Sequence, residues 1–465
     1  MTDPLTFSTL ALRPELLQRV QNMNFRHMTP VQAVALPPAL AGKDVVARAS
    51  TGSGKTAAFA LGCLQRLAHT QFHVQSLVLC PTRELAEQVA TSFRELAKHL
   101  ANTKVITLCG GVALGPQIAS LQHSAHIVVG TPGRVLKHLQ KKTLHLQGLA
   151  TLVLDEADRM LDMGFADEID AILGYLPEPR QNLLFSATYP DEVAAVVSAL
   201  CPDAVRVDVT ESEAAPSISE YWCHAPSARQ QRERVDALVR GLHRWGGKLN
   251  LVFCSTKIQC AEVSRQLGSL GYSAVALHGD MEQAERSRTL IRFANGSANV
   301  LVATDVAARG LDIDDVDAVF NFELPHQGEV YVHRIGRTAR GGKTGVALSL
   351  VSEREMTRLR GMEAERGGGP MRLWRAEETG DQSSLPEPDV YTLEISGGRK
   401  HKLRPGDILG ALTATQELGA DAVGKIDILP TVSYVAIAKA QAGTAQALIN
   451  GGKIKGRQYR ARGLG

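Results

Sequence analysis

The sequence predicts an α/β protein in which two parallel-sheet domains in tandem precede a small α+β domain. From Asp44 to about Asp208, short apolar runs alternate with helical patterns, and the alternation resumes after an acidic break at residues 210–219. Strands that alternate with helices form βαβ units, so each half should contain a parallel sheet covered by helices on both faces. The last part of the chain, from Asp389, instead shows short strands and two short helices.

Near-continuous apolar runs mark the strands, as is typical of parallel sheets buried on both faces. In the first domain, placed at residues 1–209, the runs are Val45–Ala47, Leu77–Cys80, Val105–Leu108, Ile127–Val129, Leu152–Leu154, Leu183–Phe185 and Val205–Val209. In the second domain, placed at residues 218–365, they are Leu251–Phe253, Ala274–Leu277, Val300–Ala303, Ala318–Phe320 and Val346–Val351.

The second half resembles a repeat of the first. Residues 77–82, which end in Thr82, match residues 251–256, which end in Thr256, and Thr131 and Thr304 end a second matching pair of strands at nearly the same offset. Chance similarity of Leu/Val-rich strands explains either match alone better than both in register. Since the repeat has no phosphate loop and no acidic strand end, we expect the second domain not to bind nucleotide by itself.

A glycine-rich segment between the first apolar run and a helical pattern predicts a phosphate-binding loop. Its glycines let backbone N–H groups approach phosphate oxygens, and the following helix N-terminus favours negative charge. The lysine would reach the β- and γ-phosphates, and the final threonine would ligate Mg²⁺. The segment consists of Ala49, Ser50, Thr51, Gly52, Ser53, Gly54, Lys55 and Thr56.

Three carboxylates follow the strand at Leu152–Leu154, where ligands of parallel sheets bind. Asp155 is the predicted second metal ligand, Glu156 the group that polarises the attacking water, and Asp158 completes the cluster. A solvated acidic strand end is the alternative for this cluster alone, and the phosphate loop upstream argues against it. Together the two segments predict hydrolysis of ATP with Mg²⁺.

The second domain carries a basic segment that suits charge stabilisation during phosphoryl transfer. His333, Arg337 and Arg340 lie within eight residues, and the two arginines are expected on one face of a helix. A basic surface helix is the simpler interpretation. The sequence from Thr304 to Ile313 in the same half favours the catalytic one.

Residues 366–388 are predicted to be a flexible linker, because they contain clustered glycines and two prolines. Residues 389–465 follow in the order β-α-β-β-α-β, which is ferredoxin-like and used by RNA-recognition modules. We expect a final strand at Lys453–Tyr459, whose alternation would place Lys453, Lys455, Arg457 and Tyr459 on one face. With three tyrosines in all, the module lacks the usual set of stacking aromatics.

Composition is that of an ordinary globular protein, with 44% hydrophobic and 21% charged residues over 465 positions. Seven cysteines without a Cys-x-x-Cys pair predict reduced core thiols and a cytoplasmic protein, and no segment resembles a signal peptide or membrane span. From Asp389 onward, eleven Lys/Arg face six Asp/Glu, a surplus of five. This surplus indicates nucleic acid, although a lysine-rich soluble surface explains it equally well.

From Phe7 to about Val351 the chain resembles the DEAD-box RNA helicases, whose motifs occur here in order. The resemblance implies two RecA-like domains. It implies adenine recognition by a segment with Phe7, Phe25, Thr29 and Gln32, in which Asn24 stands where glycine is commoner. It also implies that Ser186 and Thr188 couple hydrolysis to strand separation through Asp158. It implies that Gly310 and Asp312 touch nucleotide and that Arg337 and Arg340 act as arginine fingers. It also implies RNA contacts by Pro81, Thr82, Arg83, Gly110, Gly111, Gln117, Thr131, Pro132, Gly133, Arg134, Ser255, Thr256, Gln283, Arg286 and Thr304.

The tail, with the glycine- and lysine-containing stretch at residues 451–456, resembles the RRM-like module of the DbpA-type bacterial helicases. In that subfamily the module binds a hairpin of large-subunit (23S) ribosomal RNA, which implies a role in assembly of the pre-ribosomal large subunit. The resemblance says nothing of oligomeric state and implies no membrane partner.

Two alternatives stay open at this point. A DNA-directed motor could share the two-domain architecture, although Gln32 and the Asp155–Asp158 segment argue against it. A general RNA remodeller whose C-terminal domain docks onto a protein would also suit the aromatic-poor tail.

Overall fold

The computed structural model describes residues 6–50, 52–209, 217–227, 230–308, 316–339, 343–366, 370–375, 387–415 and 417–464. The chain divides into two compact units near residue 216. No helix in these ranges is long and apolar enough to cross a membrane. All seven cysteines are buried free thiols, which confirms the prediction of reduced core residues.

The first unit alternates strands with helices, as the apolar runs predict. The strands are β1 (Val45–Arg48), β2 (Ser76–Leu79), β3 (Val105–Leu108), β4 (Ile127–Gly130), β5 (Thr151–Asp155), β6 (Gln181–Ser186) and β7 (Val205–Asp208). The helices are α1 (Pro14–Asn22), α2 (Pro30–Leu40), α3 (Lys55–Arg66), α4 (Arg83–Leu96), α5 (Leu114–Leu121), α6 (Pro132–Gln140), α7 (Ala157–Asp162), α8 (Ala166–Leu173) and α9 (Asp191–Leu200).

The first sheet has seven parallel strands in the order β3-β4-β2-β5-β6-β1-β7. Successive residues of each strand enter different apolar clusters: Val153 packs in one and Leu152 in the other. Because both faces are covered in this way, every central strand must be apolar along its whole length.

The second unit begins with a sheet of the same kind, in the order β10-β11-β9-β12-β13-β8-β14 and also parallel. Its strands are β8 (Ser217–His224), β9 (Asn250–Cys254), β10 (Ala274–Leu277), β11 (Val300–Thr304), β12 (Ala318–Asn321), β13 (Thr344–Val351) and β14 (Arg372–Leu373). The helices are α10 (Gln231–Trp245), α11 (Lys257–Ser269), α12 (Gln283–Ala294), α13 (Asp305–Ala308), α14 (Gly328–Ile335) and α15 (Met356–Arg366). The prediction of two parallel-sheet domains in tandem is confirmed.

Two strands of this sheet escape the sequence analysis. The β8 strand lies partly within the predicted acidic break, and β14 lies within the predicted linker. The prediction of a structureless linker is wrong for residues 371–374, because β14 pairs with β8 and Trp374 packs edge-on against Trp245. Burial of a tryptophan and its neighbour Met371 outweighs the entropy of ordering this short segment.

The C-terminal module has the predicted order β-α-β-β-α-β. It comprises β15 (Val390–Ile395), α16 (Pro405–Thr413), β16 (Val423–Ile428), β17 (Ser433–Ala438), α17 (Ala442–Gly451) and β18 (Ala461–Leu464). Its antiparallel strands are ordered β16-β17-β15-β18. Leu393 and Val435 of this sheet share an apolar core with Ile408 of α16 and Ile449 of α17.

The predicted final strand at Lys453–Tyr459 is wrong. Residues 453–458 form a tight turn, bridged between Ile454 and Arg457, in which Lys455 and Gly456 both have positive φ. Left-handed backbone at two successive residues cannot continue a strand. The last strand therefore begins only at Ala461, and Tyr459, predicted to share a face with the lysines, is buried in the module core.

Candidate functional site

The order of strands in the first sheet determines where each sequence motif lies along the edge formed by the carboxyl ends of the strands. The phosphate loop follows β1, Ser186 ends β6, and Asp155 ends β5, so these three motifs lie on adjacent strands. The segment Pro81–Arg83 follows β2, Thr131–Arg134 follows β4, and Gly110–Gly111 follow β3. The nucleotide motifs and Ser186 thus follow β1, β6 and β5 in one half of the carboxyl edge, and the predicted RNA motifs follow β2, β4 and β3 in the other half.

The phosphate loop is shaped by a glycine that no other residue could replace without strain. Gly54 has φ +95° and caps α3, and an added Cβ would lie 2.4 Å from Gln32 Nε2. The Gln32 amide donates to Gly54 O over 3.1 Å and accepts from the Thr29 backbone N–H over 3.0 Å. The predicted adenine-recognising residues therefore fasten α2 directly to the phosphate loop. Ser53 closes the loop by donating to Ser50 O over 2.8 Å.

Lys55 and Asp155 form the buried charged centre of this half. Lys55 Nζ donates to Ala49 O over 2.8 Å, and the side chain is 6% exposed. Burial lowers the pKa of the Lys55 ammonium, against the opposing effect of Asp155 and Glu156. Burial also raises the pKa of Asp155 to about 7, and Glu156 adds to the rise. Carboxylates packed this closely favour a cation as a further partner.

Glu156 and Asp158 are held by different neighbours. Glu156 has φ +54° and pairs with Arg159 over 3.1 Å inside the protein. Asp158 Oδ2 accepts from the Thr188 hydroxyl over 2.7 Å and from the Thr188 N–H over 2.9 Å, while the Asp158 N–H donates to Ser186 Oγ over 3.3 Å. Burial opposes ionisation of Asp158, but these bonds outweigh it and lower its pKa. The structure thus brings together the residues predicted to couple hydrolysis to strand separation.

The residues present fit Mg²⁺ and a nucleotide triphosphate. Mg²⁺ is bound in such sites by one or two carboxylates together with phosphates and water, rather than by a protein cage. The described residues contain no cluster of three or more His, Cys, Asp or Glu side chains arranged to hold a metal ion. Asp155 supplies the buried carboxylate, and Thr56 follows Lys55 as the second residue of α3.

The predicted adenine segment contributes an exposed aromatic ring. Phe25 is 37% exposed and stacks on the buried Phe7 with ring centroids 6.4 Å apart. Asn24 has φ +58°, a conformation that glycine adopts most easily and asparagine tolerates. The turn into Phe25 therefore has positive φ at Asn24. The Thr29 hydroxyl is buried and finds no hydrogen-bond partner in the described part of the chain.

The predicted RNA contacts of the first unit converge on the ends of β2, β3 and β4. Thr82 caps α4 by accepting from the Leu85 N–H over 3.3 Å, and Thr131 is the N-cap of α6, whose first residues are Pro132 and Gly133. Gly111 has φ +68°, and a Cβ there would overlap the Arg83 guanidinium. Close packing of arginine on glycine leaves backbone N–H groups near a cation, which suits a phosphate.

Gln117 and Arg134 form a unit with a histidine that sequence reasoning missed. Arg134 Nη1 donates to Gln117 Oε1 over 2.8 Å, Gln117 Nε2 donates to Cys109 O over 3.0 Å, and the fully buried His138 lies 3.0 Å from the same Gln117 oxygen. Burial, with help from Arg134, lowers the pKa of His138. Gln117 therefore positions Arg134. A lone histidine in α6 gives no sequence signal of this role.

The second unit repeats the capping pattern at the predicted RNA contacts. Thr256, after Ser255 at the end of β9, caps α11 by accepting from the Gln259 N–H over 3.2 Å, as Thr82 caps α4. Thr304 ends β11, the neighbour of β9, and Gln283 begins α12. One turn into that helix, Arg286 donates to His278 O over 3.3 Å.

The basic segment of the second unit is organised by Arg334, which sequence reasoning also missed. This buried arginine pairs with both Asp305 oxygens over 2.6 and 2.7 Å and donates to Asn321 and to Glu323 O. Its position beside His333 was the available signal. Arg337 lies beyond the end of α14 at Ile335, so the prediction of one helical face for the arginines is wrong, because the helix stops before Gly336. Four predicted site residues lie outside the described residues: Thr51, Gly310, Asp312 and Arg340.

In the C-terminal module, Lys453, Lys455 and Arg457 are exposed on the tight turn that precedes β18. Lys455 Nζ donates to Lys402 O over 3.0 Å and pairs with Asp407 over 2.8 Å. This contact joins the turn to residues 399–404, which supply further exposed basic side chains. We call the two segments together the basic edge: Arg399, Lys400, Lys402, Arg404, Lys453, Lys455 and Arg457.

Family models match three successive parts of the chain. Residues 29–196 match the DEAD/DEAH box helicase model, residues 232–342 the helicase conserved C-terminal domain, and residues 392–462 the DbpA RNA binding domain. The chain is 48% identical over 460 residues to the ATP-dependent RNA helicase DbpA of Escherichia coli K12, which covers 98% of this chain and 99% of that protein. It is 44% identical over 359 residues to the DEAD-box ATP-dependent RNA helicase CshA of Bacillus cereus, covering 77% of this chain and 67% of that protein.

Solved structures share the fold of the two large sheets. S. cerevisiae Dbp5 bound to RNA and ADP BeF3 is similar with a TM-score of 0.72 and 32% identity, over 80% of this chain and 96% of that one. A structure of Mss116 bound to ssRNA and UDP-BeF also has a TM-score of 0.72, at 27% identity, over 80% of each chain.

Proposed function

The chain belongs to the DEAD-box family of ATP-dependent RNA helicases, with a C-terminal module of the DbpA type, and we propose that it acts on a hairpin of large-subunit (23S) ribosomal RNA during assembly of the ribosomal large subunit. The resemblance to DbpA-type helicases supports this target. The observation that carries it is the basic edge, a cationic surface on the module that can grip structured RNA.

We assign the nucleotide to the loop after β1. Gly54 and its neighbours supply backbone N–H groups, Lys55 supplies positive charge, and Thr56 with Asp155 would hold Mg²⁺. Bound Mg²⁺ would neutralise phosphate charge during transfer. Phe25 and Gln32 would take the adenine, and the contact from Gln32 to Gly54 would report an occupied base site to the phosphate loop.

Glu156 is assigned as the group that polarises the attacking water. Its pairing with Arg159 fixes the carboxylate before the nucleotide arrives, so little reorganisation remains for the reaction. Asp158 follows β5, the strand between β2, which precedes an RNA motif, and β6, and it binds Ser186 at the end of β6 and Thr188 two residues beyond. We assign that bond pair as the link from hydrolysis to RNA release.

The core RNA contacts are suited to the sugar–phosphate backbone. Threonine hydroxyls, glycine N–H groups and arginines such as Arg83 and Arg134 carry no information about base sequence. Specificity for one ribosomal element must therefore come from another surface. The basic edge is the strongest concentration of exposed cations in the described part of the module. From Asp389 onward, Lys and Arg outnumber Asp and Glu by five.

Charge reversal at Lys453, Lys455 and Arg457 tests the target. We expect the triple variant to keep weak RNA-stimulated ATPase activity with any RNA but to lose its preference for a 23S ribosomal fragment. Binding of the wild-type chain to the fragment should weaken steeply with salt, since each phosphate contact releases counterions. The matched control reverses Lys425 and Lys439, two lysines of the same module outside the basic edge.

Retention of the fragment preference by the triple variant would contradict the assignment of the basic edge. A wild-type chain without any preference for ribosomal fragments would contradict the ribosomal target itself. In that case the module would serve as a protein-docking domain on a general RNA remodeller.

A further inference from the structure

The outer face of the module sheet is buried, although both module helices cover the opposite face. Thr392 is 0% exposed, Tyr434 2%, Ala436 4% and Glu394 8%. Alternation along β15 and β17 places these four side chains together, away from Leu393 and Val435 in the module core. A two-layer module cannot bury this face by itself, so another part of the second unit covers it.

The covering element is α12 with the turn that follows it. Arg288 pairs with Glu394 over 3.1 Å, Ser297 Oγ lies 2.7 Å from Thr392 Oγ1, and Asn295 Nδ2 donates to the same hydroxyl over 3.5 Å. Glu394 is shared, because its other oxygen accepts from Arg462 of β18 over 2.8 Å. The contact is thus polar and specific, and through Glu394 it is connected to β18 as well as β15.

The helix presents separate faces to the module and to the predicted RNA contacts. Arg288, Arg292 and Asn295 recur at spacings of four and three, which places them on one stripe. Gln283 and Arg286 lie earlier on the same helix and are rotated away from that stripe by more than a quarter-turn. One rigid rod of three turns therefore carries both sets.

The chemistry of the face argues against a hidden RNA site. A stacking platform needs several exposed aromatic rings, whereas the four side chains of this face include a single ring, Tyr434, which is buried. It also carries the carboxylate of Glu394, which repels phosphate. Small and hydroxyl side chains such as Ala436 and Thr392 instead permit close approach of a helix.

We propose that the sheet face of the module is a permanent docking surface for α12. The module and the second helicase domain therefore act as one body. As a result, the basic edge holds its RNA at a fixed position relative to Gln283 and Arg286. This inference rests on the proposed function for the identity of the RNA. It replaces a freely tethered module by a rigid adaptor, in which RNA captured by the basic edge arrives at the core with one orientation.

A reversible cross-link tests the docking directly. In the full-length variant Ser297→Cys/Thr392→Cys, the two sulfurs replace hydroxyl oxygens that lie 2.7 Å apart. We expect rapid cross-linking under mild oxidation, measured by mass spectrometry. ATPase and strand separation with a 23S ribosomal fragment should be unchanged within about twofold of the reduced sample. Each single-cysteine variant, treated alike, is the control for oxidation of the native thiols.

Two results would overturn the proposal. Failure to cross-link in the folded variant would show that the surfaces do not meet in solution. Cross-linking that abolishes activity, with recovery on reduction, would show that the module must leave α12 during the cycle. A reduced enzyme without fragment preference would contradict the ribosomal target, while the rate of cross-linking would still decide the docking.

A second variant weakens the contact without cysteines. In Arg288→Ala/Arg292→Ala, we expect fragment-stimulated strand separation to fall about tenfold or more, since fixed geometry raises effective concentration strongly. ATPase with unstructured RNA should stay unchanged. Arg265→Ala, on the exposed face of α11, is the matched control. Unchanged strand separation in the double variant would mean that docking does not position the RNA.

Discussion

Replacing Thr188 with valine tests whether the Asp158–Thr188 contact links hydrolysis to strand separation. The threonine hydroxyl and backbone N–H both donate to Asp158 Oδ2, over 2.7 and 2.9 Å. Valine has the same shape but keeps only the backbone bond. Asp158 Oδ1 still accepts from the Arg159 N–H over 3.0 Å, so the carboxylate stays anchored while one of its contacts to the β6 segment is lost.

The size of the effect follows from the type of bond. A hydrogen bond to a charged group contributes about 1.5–3 kcal/mol, and about 1.4 kcal/mol corresponds to a tenfold change in rate. We expect strand separation per ATP hydrolysed to fall about ten- to hundredfold in Thr188→Val. The ATPase rate should fall less, because Lys55, Asp155 and Glu156 are untouched.

Phosphate release and displacement of a short RNA duplex should be measured on one preparation, with thermal unfolding as a check of the fold. Thr107→Val is the matched control, since the Thr107 hydroxyl donates to Glu87 over 2.8 Å on the edge strand β3. Equal loss of ATPase and displacement in Thr188→Val would refute the coupling role. The same would follow if the control lost displacement to an equal extent.

Three further substitutions probe the nucleotide site. Lys55→Ala should abolish ATP hydrolysis, because the phosphates lose their principal cation, and substantial RNA-stimulated ATPase in a folded variant would disprove the assignment. Glu156→Gln should still bind ATP and RNA together, measured by fluorescence anisotropy, but turn over very slowly; near-normal turnover would exclude Glu156 as the polarising group. Gly54→Ala should lower the free energy of unfolding by about 1–3 kcal/mol and weaken ATP binding, because it combines positive φ with a contact to Gln32. Calorimetry measures both, and an unchanged variant would contradict the strain.

Local patterns in the sequence predicted much of this architecture. Apolar runs and helical patterns placed all seven strands of the first sheet, since a strand buried on both faces must be apolar throughout. The phosphate loop and the Asp155–Asp158 segment were readable because phosphate and Mg²⁺ demand particular residues at fixed spacing. The order of elements in the C-terminal module was readable for the same reason of local periodicity.

Where local signals were weak or misleading, the prediction failed. The turn at residues 453–458 reads as an alternating strand, but two residues with positive φ break it. The strand β14 is too short to show a hydrophobic pattern. It forms because Trp374, next to the strand, packs against Trp245. The helix α14 ends at Ile335, before Arg337, and the charge pattern did not reveal this end.

What only the tertiary structure decided is which distant residues meet. Strand order sets the nucleotide motifs beside one another and puts Asp158 against Thr188, thirty residues away in sequence. The same long-range packing surrounds His138 and Arg334 with partners, which turns an unremarked histidine and arginine into positioning residues. Sheet order and helix packing arise from burial summed over the whole domain, and no single segment encodes that sum. The contact of α12 with Thr392 and Glu394 also joins residues that are distant in sequence, and so the sequence did not predict it.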